Sequence, residues 1–212
     1  MQDIDQEQGT ARENLCRFLA ACYYQPGPEY TEEKVFDSMR DAATRIHPDL
    51  AAHARRLGEE FSAAGPERLL LDYTRLFLGP NHIIANPYGS AWLNGEKTLM
   101  QDSTMAVEEL YEEGGFEIDE DFRELPDHIA AELEFLYLLI YRENEACRND
   151  DQEALTAMAG LRKRFLDEHL GSWVGPFTAS VRAGAQSGFY RELAALTDCF
   201  VSMEAGGTQR IT

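Results

Sequence analysis

Apolar side chains recur along this chain with a helical period. Leu15, Phe18, Leu19 and Cys22 stand at i, i+3, i+4 and i+7, so they share one stripe of an amphipathic helix, and Pro26-Gly27-Pro28 predicts its end. The same spacing returns at Val35, Phe36 and Met39, at Leu57 and Phe61, and at Leu69, Leu70, Tyr73, Leu76 and Phe77, with Pro48 and Gly65-Pro66 as punctuation. Four helices are thereby predicted in the first third of the chain. From Gly79 to Gly95 the period fails, and Pro80, Pro87, Gly89 and Asn94 predict a long loop, about 79–95, that still carries Tyr88 and Trp92. Loops of that length inside compact domains are often functional, because their aromatics must either pack beneath the loop or meet a ligand.

The second half reads in the same way. A helix over about 102–113 is predicted to end at Gly114-Gly115. An acidic loop, about 114–125, carries Glu117, Asp119, Glu120 and Asp121 to Leu125-Pro126, and Pro126 reads as the first residue of the next helix. That helix, through about Cys147, contains a run from Phe135 to Tyr141 that is apolar nearly all round, which predicts a place at the centre of a bundle. Three further helices follow, around 153–169, 172–186 and 189–203, and no segment alternates as a strand does or repeats another. The expected fold is all-α, one domain over 1–212 with about eight to nine helices.

Composition and charge narrow the function. With 212 residues, 44% apolar and 10% aromatic, the chain can bury a core without disulfides. Its 38 acidic and 19 basic side chains give a formal charge of −19, a field that repels phosphate backbones and anionic headgroups. Nucleic acid and stable membrane insertion are disfavoured, and a cationic partner such as an Arg- or Lys-bearing peptide is favoured, although the same charge also serves solubility. Cys16, Cys22, Cys147 and Cys199 form no Cys-x-x-Cys pair and have no His at zinc-knuckle spacing, so reduced core thiols are expected. The acidic start, Met1-Gln2-Asp3-Ile4-Asp5, is unlike a secretory signal, and no apolar run reaches bilayer-spanning length; the expected location is the cytoplasm.

Candidate chemistry concentrates at Glu124-Leu125-Pro126-Asp127-His128. Asp127 suits the positive end of a helix dipole, so a structural role accounts for it. The same dipole disfavours protonated His128, which leaves two readings: an imidazole satisfied by a loop carbonyl, or a hydrogen-bonding group at a binding surface. His128 and Glu132 at i and i+4, with Glu124 upstream, raise a metal-dependent enzyme as an alternative. However, His47, His53, His82 and His169 lack the partnering that a di-metal bundle needs. Gly95-Glu96-Lys97-Thr98 lacks the glycine spacing and preceding strand of a phosphate loop, and Ser90 sits in no nucleophile elbow, so no catalytic nucleophile is found and no enzyme activity is expected. Phe77, Tyr88 and Trp92 beside an acidic rim read either as core plugs or as the wall of a peptide groove.

Several stretches in order resemble the TorD/DmsD family of cytoplasmic redox-enzyme maturation chaperones, over most of the chain. They are Tyr73-Thr-Arg-Leu76-Phe77-Leu-Gly79-Pro80, Pro87-Tyr88-Gly89-Ser90-Ala91-Trp92-Leu93, Asp102-Ser103-Thr104, and Glu124-Leu-Pro126-Asp127-His128 running on to Glu132-Leu133-Glu134-Phe135-Leu136. Weaker agreement continues through His169-Leu170, Trp173 and Phe177 to Phe189-Tyr190-Arg191-Glu192. The resemblance implies a helical chaperone without a cofactor of its own. Its partners would be the twin-arginine signal peptide and the apo-subunit of a molybdopterin oxidoreductase, held from export until the cofactor is inserted. It implies peptide-site roles for Pro87, Tyr88, Ser90 and Trp92 and for Asp127 and His128, with Phe77, Glu124 and Pro126 completing the expected site. Some relatives bind their client's mature body, form domain-swapped dimers rather than monomers, or bind guanine nucleotides weakly, and the nitrate reductase branch serves an enzyme subunit that never meets the export machinery, the alternative reading for this chain. The insert at 81–86, with His82-Ile83-Ile84, departs from the family pattern and leaves the client open.

Overall fold

A computed structural model describes residues 2–27, 34–79, 82–93, 102–118 and 124–206, with residues 2–5 and 102 by backbone only. Pro28, Pro80, Asn81, Asn94, Gly95-Glu96-Lys97-Thr98 and Asp119-Glu120-Asp121 lie outside the described residues. Ten α-helices are described: α1 (Gln2–Ala21), α2 (Val35–Ile46), α3 (Pro48–Ala64), α4 (Pro66–Tyr73), α5 (Ser90–Leu93), α6 (Asp102–Gly114), α7 (Ile129–Arg148), α8 (Gln152–Glu168), α9 (Leu170–Gly184) and α10 (Gly188–Glu204). The fold is all-α, as the periodicity predicts; the extra helix is α5, one turn inside the stretch read as loop.

Helix α7 is central. It lies along α1 and α8 and touches α9, while α10 packs on α3 and α9, and α2 bridges α1 and α3. Phe135, Leu136, Leu139 and Ile140 of its apolar run are fully buried. Phe135 meets the rings of Tyr111 and Phe165 at 4.7 and 5.0 Å between centroids, which ties α6 and α8 to it. Among the described residues no helix is long and apolar enough to cross a membrane.

Helix α4 runs directly into a π-helical turn, Thr74–Leu78, an arrangement often found at functional sites. Asp72, just before it, holds the turn in place by accepting the backbone N–H groups of Gln186 and Ser187 and the Ser187 hydroxyl, the N-terminal donors of α10. Arg75 donates to Asp72 and to the carbonyl of Gly184 at the end of α9. The π turn closes at Gly79, whose φ of 34° and approach to the His82 carbonyl exclude a side chain. Beyond it, Ala85 N–H donates to Leu76 O and the Ser180 hydroxyl to Ile84 O, so the following segment is laid back along the π turn and α9.

Three boundaries differ from the sequence reading. Helix α1 stops at Ala21, ahead of Pro26, because Cys22 and Tyr23 turn inward and the Tyr23 hydroxyl bonds to Thr197 on α10. Pro126 is not the first residue of α7. Leu125 to His128 forms a turn closed by His128 N–H on Leu125 O, and His128 is the N-cap. Helix α9 ends at Gly184, since Asp72 draws the next N–H groups away. Of the four cysteines, all free, Cys16 and Cys22 are core thiols; Cys147 is exposed and Cys199 half-buried.

Candidate functional site

The two segments that carry the candidate chemistry meet as a short antiparallel bridge. Tyr88 pairs with His128, Ile129 N–H donates to Pro87 O, and Gly89 N–H donates to Asp127 O, both at 2.8 Å. The Asp127 carboxylate turns back across the bridge and accepts Ser90 N–H through Oδ2 at 2.8 Å, capping the first turn of α5. Trp92 on that turn donates its indole N–H to Asn86 O, and Asn86 Oδ1 accepts Tyr88 N–H. Pro126 offers its carbonyl to the Tyr111 hydroxyl at 2.8 Å, which fixes the 124–128 turn on α6.

Pro87, Tyr88, Ser90, Trp92, Glu124, Pro126, Asp127 and His128 are thus gathered in one knot at the start of α7. Their exposure differs sharply. Ser90, Asp127 and His128 are 0, 1 and 4% exposed, whereas Tyr88 and Trp92 are half-buried and Glu124 is exposed. The Tyr88 hydroxyl donates to the Glu124 carboxylate, and its ring meets the edge of His128 at 5.3 Å. Phe77 stands apart from the knot. It is a core side chain among Tyr23, Tyr73, Phe177 and Tyr190, and Phe177 lies between it and Trp92.

Electrostatics follow burial. His128 is held neutral, its pKa lowered to about 4 by desolvation, against the opposing pull of Glu124 and Asp127. Neutral Nδ1 accepts Ala130 N–H at 3.2 Å, so the imidazole is the side-chain cap of α7, a role neither sequence reading had assigned to it. Burial, with Glu124 adding to it, raises the Tyr88 phenol well above its ordinary value.

Glu132 and Trp173 lie beneath the knot. Trp173 Nε1 donates to Glu132 Oε2 at 3.1 Å, and both side chains are fully buried. Burial pushes the Glu132 carboxyl well above the carboxylate range; Trp173 opposes the shift and Asp127 adds to it. A Cβ on Gly89 would stand 2.9 Å from Trp173 Nε1 and 3.1 Å from Glu132 Oε1, so only glycine lets the 87–90 turn settle on this pair. The sequence carried one signal for Glu132, its place four residues after His128, and that spacing suggested metal. Among the described residues no group of three or more His, Cys, Asp or Glu stands where it could hold an ion.

The family described as nitrate reductase delta subunit matches residues 37–179. The Tat proofreading chaperone DmsD of Salmonella typhi is 30% identical over 160 residues, 74% of this chain and 76% of that protein. The chaperone protein TorD of Vibrio parahaemolyticus is 32% identical over 139 residues, 65% of this chain and 62% of that protein, less than two thirds of its length. A solved structure from Archaeoglobus fulgidus, described as a redox enzyme maturation protein, superposes with a TM-score of 0.53 at 21% identity over 90% of this chain and 93% of its own, a likeness of fold alone. On these matches, joined to the all-α fold, the chain belongs to the nitrate reductase delta subunit family, among redox-enzyme maturation chaperones of the TorD and DmsD type.

Proposed function

We propose that this chaperone acts in the cytoplasm as a single domain, binding the twin-arginine leader of a molybdopterin oxidoreductase apo-subunit at the Tyr88–His128 bridge and delaying export until the cofactor is inserted. The observation that carries this reading is the convergence of two carboxylates, Glu124 and Asp127, on the one turn that bears Tyr88 and Trp92. A leader of this kind has a cationic end and an apolar stretch. Its receptor therefore needs carboxylates beside apolar surface, and pairs between Arg and carboxylate are strong when bidentate. Glu124 at the rim meets the cationic end, and Tyr88 and Trp92, with the exposed Leu71 and Leu78 of α4 and the π turn, accept the apolar stretch. The reading calls for no bound cofactor and no catalytic group. A charge of −19 draws a cationic leader in and makes the encounter salt-dependent.

Calorimetric titration with a peptide copying the leader of the molybdoenzyme encoded beside this chain tests the reading. Micromolar or tighter binding, about −8 kcal/mol, that weakens with salt and in Asp127→Asn is the expected result. Asn keeps an acceptor for Ser90 N–H, so helicity should be unchanged while affinity drops about tenfold, on the order of 1.4 kcal/mol. An affinity equal to wild type would remove Asp127 from the site. One observation favours a second reading, the match to the nitrate reductase delta subunit family. In that reading the client is a subunit that never leaves the cytoplasm, and it is distinguished by binding to the N-terminus of a client lacking paired arginines.

A further inference from the structure

The segment that ends at the bridge starts on the π turn, and each residue from 84 to 90 has a backbone group bonded. Ser180 of α9 donates its hydroxyl to Ile84 O at 2.8 Å, and Ala85 N–H donates to Leu76 O at 3.0 Å. An α-helix would spend Leu76 O on the N–H of residue 80, which is proline and has none, so the carbonyl is left for Ala85. Ile84 fills the space that a side chain on Gly184 would need, with Leu76 beside it. Asn86 ties in both directions: its Oδ1 accepts Tyr88 N–H and its carbonyl accepts the Trp92 indole. Pro87, Gly89 and Ser90 complete the run on residues 127–129.

We propose that residues 84–90 open and close as one strap, hung from Leu76 and Ser180 at one end and from residues 127–129 at the other, so that the π turn and α9 position the bridge through it. A bridge that opened alone would need a hinge between Ala85 and Gly89, and that stretch is stiff. The Pro87 ring fixes its own φ and restricts Asn86 before it, while the Asn86 side chain closes a turn onto Tyr88. Ala85 is fully buried and Ile84 is wedged between Leu76 and Gly184, so the strap lifts only when its anchor bonds break as well. Contiguous segments bonded in this way open as cooperative units. The use of the strap rests on the leader-binding reading: Ser180 and Leu76 are positioning residues, and a change at α9 or the π turn alters how firmly Tyr88 and Ser90 are presented to the client.

Amide protection factors of the full chain, read by NMR in Ser180→Ala, Ser180→Thr and Ile84→Ala, test the strap. Ser180→Ala removes the donor to Ile84 O and suits a helix at least as well as Ser. Protection at Ala85, Gly89, Ser90 and Ile129 should therefore fall together by about threefold to tenfold, and Ser180→Thr, which keeps a hydroxyl, should restore most of it. Ile84→Ala, which empties the space against Gly184, should act in the same direction. Amides in the middle of α7 and α9 should not change. A fall confined to Ala85, or one shared equally by the centre of α7, overturns the strap. A saturating Arg-Arg leader peptide supplies the second arm: by holding the bridge closed it should raise protection at Ala85 along with Gly89, Ser90 and Ile129. If the peptide protects the bridge but not Ala85, leader binding stands and the strap falls. If no peptide binds, the leader-binding reading falls, and the Ser180 and Ile84 variants alone decide the strap.

Discussion

At the scale of single residues, Gly89 and His128 set the geometry of the site. Gly89 lies against the Trp173 indole and the Glu132 carboxyl with no space for a methyl group. Gly89→Ala should therefore lower stability by about 1–3 kcal/mol, the usual penalty of overpacking, read as an earlier urea midpoint. His128 serves two ends, capping α7 through Nδ1 and presenting its ring to Tyr88. Asn at this position keeps an acceptor for Ala130 N–H, so His128→Asn should stay within about 0.5 kcal/mol of wild type while His128→Ala loses about 1. Equal losses in urea unfolding would show that the ring, not the cap, supplies the stability.

Among the elements, the π turn and the α9–α10 junction depend on one carboxylate. Asp72 accepts two backbone N–H groups and a hydroxyl at the start of α10 and pairs with Arg75, all with its side chain buried. Asp72→Ala leaves those donors unmet and should cost about 2–4 kcal/mol; a loss under 1 kcal/mol in urea unfolding would mean that the junction closes without it. The helices themselves were legible because Leu15, Leu19, Phe135, Leu139 and their like keep the 3.6 period. The π turn was not, since a five-residue bulge leaves Leu76 and Phe77 on the same apolar stripe. Nor was the start of α7. Pro126 satisfies every local rule for a first helical residue, and only the long-range bridge from Tyr88 keeps His128 extended. The candidate site was legible as two motifs, but their junction through Gly89, Glu132 and Trp173 joins positions that no spacing rule connects.

For the whole molecule, buried ionisable groups with opposite shifts shape the response to pH. Folded His128 stays neutral down to about 4, while its unfolded counterpart takes a proton below about 6.5, so its contribution to stability falls as pH drops across that interval. Asp72 acts in the same direction at lower pH. Burial alone would raise its carboxyl, but the Ser187 and Gln186 donors and Arg75 outweigh it and hold it below the usual value, and that stability is lost as the group is protonated. Glu132 has the opposite sign. It keeps its proton when folded and loses it when unfolded above about pH 4.5, so stability declines as pH rises toward its raised folded value. Glu132→Gln removes this term. Its unfolding free energy relative to wild type should be flat below about pH 4.5 and grow above it by about 1.4 kcal/mol per pH unit. A constant difference across pH 4–8 would mean that Glu132 is ionised in the folded protein.

The Tyr88–His128 bridge also makes the site report its own opening. Three backbone amides hold the 87–90 turn to residues 127–129: Gly89 N–H on Asp127 O, Ser90 N–H on the Asp127 carboxylate, and Ile129 N–H on Pro87 O. In deuterated water these three amides should show one common opening free energy, well below that of the central amides of α7, which need a larger opening. Their shared opening free energy under native conditions then measures the fraction of time for which the turn stands off α7.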